Sequence, residues 1–173
     1  MSPPRALSSW LSGRRAAALL AGAAVAALAA AFFAQYVMRL EPCPLCLYER
    51  VPYAIIVVVA GAAAALALGP RARAGLIALA ALAALADSGL AGYHVGVEQG
   101  VFEASAACTG STGETAGDLE SLRAQLLAEP PAARCDRVPW SAFGISIAGY
   151  NALYSALLAV FAGLAAWRTG AGR

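Results

Sequence analysis

The chain has no lysine. All 12 of its basic residues are arginine, acidic residues number 10, and charged positions make up 13% of the 173 residues. A soluble domain carries about twice that charged share. With 61% apolar residues and a mean hydropathy of +0.68, the shortage of charge excludes an all-round solvated surface and points to a membrane protein. No glycine-rich phosphate loop is present, and no soluble domain is large enough to hold a flavin. No nucleic-acid partner is expected. Alanine dominates the apolar runs, a bias that reads as genomic and flattens the hydropathy signal.

Four apolar segments are present, at about 16–37, 51–68, 75–97 and 144–167. Each has roughly the 20 residues needed to cross about 30 Å of hydrocarbon. The expected fold is an all-α, four-transmembrane-helix bundle forming a single domain over 1–173, because an isolated span must satisfy its own backbone hydrogen bonds. A cleaved signal peptide is the alternative for the first segment, but its length exceeds a usual signal h-region, so it is expected to remain as a span. The third segment carries Asp87 and His94, and also Ser88, Gly92 and Gly96 at four-residue intervals, a spacing that lets helices approach closely in lipid. Tyr36, Tyr53, Trp140 and Trp167 fall near span ends and read as interfacial anchors.

Arginine placement gives the orientation. Arg5, Arg14, Arg15, Arg71, Arg73, Arg168 and Arg173 lie in the two tails and the turn at 69–74, none of which contains an acid. The connection 98–143 holds seven acids, from Glu98 to Asp136, against Arg123, Arg134 and Arg137. By the positive-inside rule both termini are cytoplasmic, and the connections at about 38–50 and 98–143 face outward. All four cysteines lie in those two outer connections. In the longer one, Leu119, Leu122, Leu126 and Leu127 form a stripe ending at Pro130-Pro131, which predicts a short amphipathic helix in the interface plane.

The short outer connection contains "EPCPLCLYER", with Cys43 and Cys46 as a CxxC. Four thiolates can close a zinc site, but zinc sites usually assemble from two close pairs, and Cys108 and Cys135 are 27 positions apart, so no metal is expected. Leu47 stands where haem attachment requires histidine. On an oxidising face thiols become disulfides by default, so two inert staples are the serious alternative. A staple suits Cys108 and Cys135. It suits Cys43 and Cys46 poorly, because closing a four-residue ring removes little chain entropy. Pro44 suits the first position of a helix, which sets Cys43 at a helix N-terminus, and Arg50 adds a nearby cation. Both favour thiolate, the attacking form in disulfide exchange; Glu41 and Glu49 oppose it. The electron acceptor reachable from the bilayer edge is a lipid-soluble quinone. Arg50 could hydrogen-bond its carbonyl, or simply snorkel to the interface. His94 could relay a proton, or be a satisfied interhelical polar residue.

"EPCPLCLYER", "AGYHVGVEQG" followed by "CTG", "RCDRVPW" and "SIAGYNALYS", on four spans, resemble the DsbB family of disulfide-bond formation proteins over roughly residues 15–168. The resemblance implies a bacterial inner-membrane thiol:quinone oxidoreductase that reoxidises a periplasmic DsbA-like, thioredoxin-fold thiol oxidase and so sustains disulfide formation in exported proteins. It implies Cys43–Cys46 as the quinone-linked pair, with Cys46 contacting ubiquinone or menaquinone and Arg50 and His94 beside the ring. It implies Cys108–Cys135 as the pair that oxidises the partner, with Cys108 attacked first and Cys135 then exchanging with Cys43. Asp87 is not carried over from the family; it reads as a buried polar contact in preference to part of a proton path. The rival readings are a vitamin K epoxide reductase-type oxidase, whose CxxC typically lies late in the bundle, a paralogue with one dedicated client, and a scaffold with two structural disulfides.

Overall fold

The computed structural model describes residues 13–105, 108 and 133–171. Four segments are long and apolar enough to span a membrane: Gly13–Tyr36, Pro44–Ala65, Pro70–Glu98 and Ile147–Gly170. The first is one helix, α1 (Gly13–Tyr36). The second consists of a short α2 (Pro44–Tyr48) and a longer α3 (Arg50–Ala65). The third and fourth are α4 (Pro70–Glu98) and α5 (Ile147–Gly170). Just before α5, β1 (Ser141–Ala142) and β2 (Ile145–Ser146) pair antiparallel around Phe143 and Gly144, both at positive φ. The amphipathic helix expected around Leu119–Leu127 lies outside the described residues.

Capping decides where the helices begin. Pro44 occupies the first turn of α2 and Cys43 caps it, its sulfur accepting from the Cys46 N–H at 3.3 Å. Proline fits there because its missing N–H would be unpaired anyway. The same logic starts α4 at Pro70, five residues before the apolar run at 75, so the connection from α3 is only 66–69. α5 starts at Ile147 because Ser146 caps it, accepting from Gly149 N–H at 3.1 Å.

The longest packing interface is α4 on α5, followed by α1 on α3 and α3 on α4. Alanine lines these interfaces: Ala24, Ala60, Ala63, Ala84, Ala162 and Ala165 are fully buried around Leu20, Ile56 and Ile77. Small side chains let helix backbones approach where no hydrophobic force separates protein from lipid. Val58, Leu82, Leu157 and Phe33 point outward, the pattern of a surface meant for lipid. Within the glycine-serine row of α4, Ser88 donates to the Ala152 carbonyl of α5 at 3.3 Å, whereas Gly92 is exposed with open space beside it. The row is therefore not one continuous contact seam.

Antiparallel order gathers the helix ends. At one end the Gly13 N–H donates to Thr169 Oγ1 at 3.0 Å, and Arg14 donates to the Ala64 and Ala65 carbonyls. Tyr36, Cys43, Glu98 and Ile147 are at the other. Tyr36 and Trp167 are exposed near helix ends, but Tyr53 is buried and turned into the bundle. An aromatic near a span end reads as an anchor only until the neighbouring helix supplies a polar partner, and for Tyr53 that partner is Asn151.

Candidate functional site

Cys43 and Cys46 lie at the start of the second candidate span, with sulfurs 2.8 Å apart and unbonded. The spacing follows from the local fold, since one turn of helix brings positions i and i+3 to one face. Cys43 is buried and Cys46 half-buried. The hydrogen bond from the Cys46 thiol, and the Cys46 backbone N–H after it, hold the Cys43 thiol below the ordinary cysteine range; burial and Glu49 oppose this.

Across from them on α4, His94 is 3% exposed. Its Nε2 lies 3.5 Å from Cys43 Sγ and its Nδ1 lies 2.7 Å from Glu49 Oε1. Glu49 is itself buried, at the junction of α2 and α3. Its second oxygen accepts from Asn151 Nδ2 of α5 at 3.0 Å. The same amide nitrogen lies 3.3 Å from Asp87 Oδ2, and Asn151 Oδ1 accepts from the Tyr53 hydroxyl at 2.6 Å. Four elements thus converge on a chain of polar contacts from Asp87 through Asn151, Glu49 and His94 to Cys43. Asp87 is fully buried, with Oδ1 unpartnered among the described residues.

Beside this chain opens a cavity of about 630 Å³, within the range of small-molecule sites. Its walls are mostly apolar, from Ala27, Ala30 and Ala34 on α1 to Leu153 and Leu157 on α5. Cys46, Glu49, Arg50, Tyr53 and His94 also line it. Arg50 lies with its guanidinium 5.0 Å over the Phe32 ring and donates from Nη1 to Gln35 Oε1 at 2.7 Å. Its Nε is buried with no partner among the described residues. A buried N–H without an acceptor costs about 1–3 kcal/mol, so an acceptor brought into the cavity would recover that energy.

Cys108 and Cys135 form a disulfide with Cα atoms 5.1 Å apart. Both are buried in one apolar cluster with Cys43, Leu45 and Val97, against which Cys46 and Leu90 pack. The two cysteine pairs therefore share one apolar cluster at one end of the bundle, although 62 positions separate Cys46 from Cys108. Disulfide exchange needs thiolate access to a disulfide sulfur, and this cluster puts dithiol and disulfide side by side.

The residues singled out in the sequence for this chemistry are thus brought together: Cys43, Cys46 and His94 in mutual contact, Arg50 on the cavity wall, and Cys108 with Cys135 in the adjoining cluster. Glu49, Asn151, Tyr53 and Gln35 were not assigned to the site. A lone Asn and a lone Gln inside alanine-rich spans are themselves signals, because polar side chains at membrane depth find partners.

The family profile described as "Disulfide bond formation protein DsbB" matches residues 13–165. Disulfide bond formation protein B of Xanthomonas campestris pv. campestris (strain 8004) is 32% identical over 167 residues, covering 92% of this chain and 91% of that protein. The protein of the same name from Albidiferax ferrireducens is 28% identical over 168 residues, 94% of this chain and 93% of its own length. An uncharacterised Rickettsia prowazekii protein is 31% identical over 141 residues, 81% of this chain and 80% of its own. No solved structure matches. With four segments long and apolar enough to span a membrane and its four cysteines gathered at one end, the chain belongs to the DsbB family of disulfide bond formation proteins.

Proposed function

We propose that the protein is a thiol:quinone oxidoreductase of the bacterial inner membrane, which reoxidises a periplasmic thioredoxin-fold thiol oxidase of the DsbA type. The observation that carries this reading is an apolar cavity lined by Cys46 of the dithiol and by Arg50, whose buried Nε has no partner among the described residues. The cavity suits an aromatic head group with hydrogen-bond-accepting carbonyls, and its open, apolar walls suit an isoprenoid tail. Quinone bound there supplies a two-electron, two-proton sink.

The chain's own residues do the rest. A thiolate of the reduced partner attacks Cys108 and forms a mixed disulfide, and Cys135 leaves as thiolate. The partner's second thiol resolves the mixed disulfide, leaving the partner oxidised and Cys108 and Cys135 reduced. Cys135 then attacks Cys43 of an oxidised 43–46 pair, which releases Cys46 as thiolate. Cys108 resolves the 43–135 bond, so both electrons rest on Cys43 and Cys46 and the outer disulfide is restored. Each exchange runs through a mixed disulfide, as thiolate chemistry requires. His94 is positioned to take a proton at Nε2 from Cys43, with Glu49 Oε1 stabilising the resulting imidazolium at Nδ1. Arg50, on the cavity wall with a buried, unpartnered Nε, offers the acceptor a donor and orients it.

Purified protein mixed with a reduced thioredoxin-fold oxidase and a soluble quinone analogue is expected to bleach the quinone absorbance catalytically. Absence of turnover in the wild type would overturn the reading, and turnover persisting in Cys46→Ala would overturn the role given to Cys46.

A further inference from the structure

Cys43 Sγ, Cys46 Sγ and His94 Nε2 all lie within 4.8 Å of one another. We propose that, when the 43–46 pair is in its dithiol form, these three residues bind a soft divalent cation of the zinc class, and that the bound ion holds the dithiol out of disulfide exchange. The binding half stands on geometry alone; the inhibitory half rests on the function proposed above.

The donor set is the first argument. Two thiolates and one imidazole make a Cys2His site, which fills three corners of a tetrahedron and leaves the fourth open. Cys46 and His94 both line the cavity, which leaves room beside them for a fourth ligand. A zinc site of four thiolates would need Cys108 and Cys135, which are tied to each other. The set proposed here draws instead on α4, and chain order gives no sign that residue 94 returns to the CxxC.

Ligand orientation is the second argument. Metal-bound histidines typically give their other ring N–H to a carboxylate, which fixes the tautomer and aims the free lone pair at the ion. Glu49 Oε1 sits 2.7 Å from His94 Nδ1, and the opposite nitrogen is the one facing Cys43 Sγ at 3.5 Å. Glu49 is held from behind by Asn151 at 3.0 Å, so it serves as the orienting carboxylate and not as a ligand. Zinc bonds of about 2.3 Å to sulfur and about 2.0 Å to nitrogen at a tetrahedral angle require roughly 3.6 Å between Nε2 and Sγ, close to the distance found. The same geometry asks for roughly 3.7 Å between the sulfurs. They stand at 2.8 Å, so side-chain rotation must open them by about 1 Å.

Charge is the third. The uptake balances as Zn²⁺ plus two thiols giving a zinc dithiolate and two released protons. The ion and the two thiolates then cancel, and no net charge is added to a buried site. Arg50, the cation that opens α3 four positions after Cys46, is already engaged by Gln35 and the Phe32 ring. A disulfide between Cys43 and Cys46 removes both sulfur ligands, so the site exists in one redox state only.

The test uses the full chain in detergent micelles carrying Cys108→Ser and Cys135→Ser, reduced with a phosphine and titrated with Co²⁺. One cobalt per chain should bind, with a thiolate-to-cobalt charge-transfer band and the intense visible bands of a tetrahedral ion, and zinc should displace it. The same preparation oxidised at Cys43–Cys46 should bind none, a control that needs no further variant. Glu49→Gln should weaken zinc binding roughly 10–100-fold, the usual effect of losing an orienting carboxylate, and His94→Ala should weaken it at least as much. Reduced protein with no thiolate band, equal binding by the oxidised form, or undiminished affinity in His94→Ala would each overturn the site. In the wild type, zinc should halt quinone reduction and a chelator should restore it. Spectroscopic binding with undiminished turnover would overturn the inhibitory half, whereas no turnover even without zinc would count against the function itself and leave the cobalt spectra to judge the site.

Discussion

Asn151 satisfies three buried groups with one amide: Glu49, Asp87 and the Tyr53 hydroxyl. Replacing it with leucine keeps the size but leaves all three short of a partner, at about 1–3 kcal/mol for each. Asn151→Leu is therefore expected to lower the thermal midpoint in micelles markedly and to slow quinone reduction by loosening Glu49 and His94. A midpoint within a degree or so of wild type would show that the network carries little stability. Arg50 makes a more selective prediction. Arg50→Ala removes the guanidinium from the cavity wall and leaves the cysteines in place, so the apparent KM for quinone should rise at least tenfold, with kcat less affected. An unchanged KM would return Arg50 to an interfacial charge. For Cys43 the expectation concerns pH. Its thiol is held below the ordinary range, chiefly by the Cys46 thiol, so thiolate persists there to lower pH than in an unfolded chain. The alkylation rate mapped to Cys43 should rise at lower pH than in the denatured protein, and Cys46→Ala should move that rise upward. The cysteines, Arg50 and His94 were legible in the sequence because a CxxC, a cation four positions on and a histidine within a span each carry chemistry alone. Asn151 and Tyr53 were not, because their part depends on which groups face them from α3 and α4.

At the scale of elements, the break between α2 and α3 shapes the site. Pro52 has no N–H to return to the Tyr48 carbonyl, and α2 ends at Tyr48. Glu49 lies at the resulting junction and points inward, while Arg50 opens α3 on the cavity side. Two prolines eight positions apart make this break readable in the sequence; the direction in which it turns Glu49 is not, because packing against α4 sets it. Span lengths were equally readable, since twenty apolar residues need no neighbours to be recognised. Span ends moved by several residues because caps, not hydropathy, fix them. Ser146 shows what a cap contributes here. It accepts from Gly149 N–H and donates to Glu98 Oε2 at 2.5 Å, tying the last turn of α4 to the first of α5. Ser146→Ala should destabilise the protein by about 1 kcal/mol or somewhat more, in the range of N-cap losses. Equilibrium unfolding in mixed micelles reads this, and no change would mean that Glu98 and the α5 terminus are satisfied without it.

For the whole molecule the question is which end faces which compartment. Arg14 donates to the carbonyls of Ala64 and Ala65, and Arg73 to those of Ala63 and Leu66. Both thus complete the C-terminus of α3, where unpaired carbonyls and the helix dipole favour cations. The arginines read in the sequence as topological markers therefore also stabilise a helix end, and the fold itself would gather them there whichever way the bundle were inserted. The four cysteines occupy the opposite end, so sidedness and function are one question: only an oxidising compartment keeps a disulfide relay running. The hairpin tip and the end of α5 provide reporters at the two ends. Phe143 is 99% exposed and Ala171 is exposed beyond α5. In a chain whose native cysteines are serine, Phe143→Cys should react with a membrane-impermeant maleimide added to intact cells, and Ala171→Cys should react only after the membrane is opened. The reverse pattern would put the dithiol in the cytoplasm, where thiols are kept reduced, and would defeat the proposed relay whatever the purified protein does with quinone.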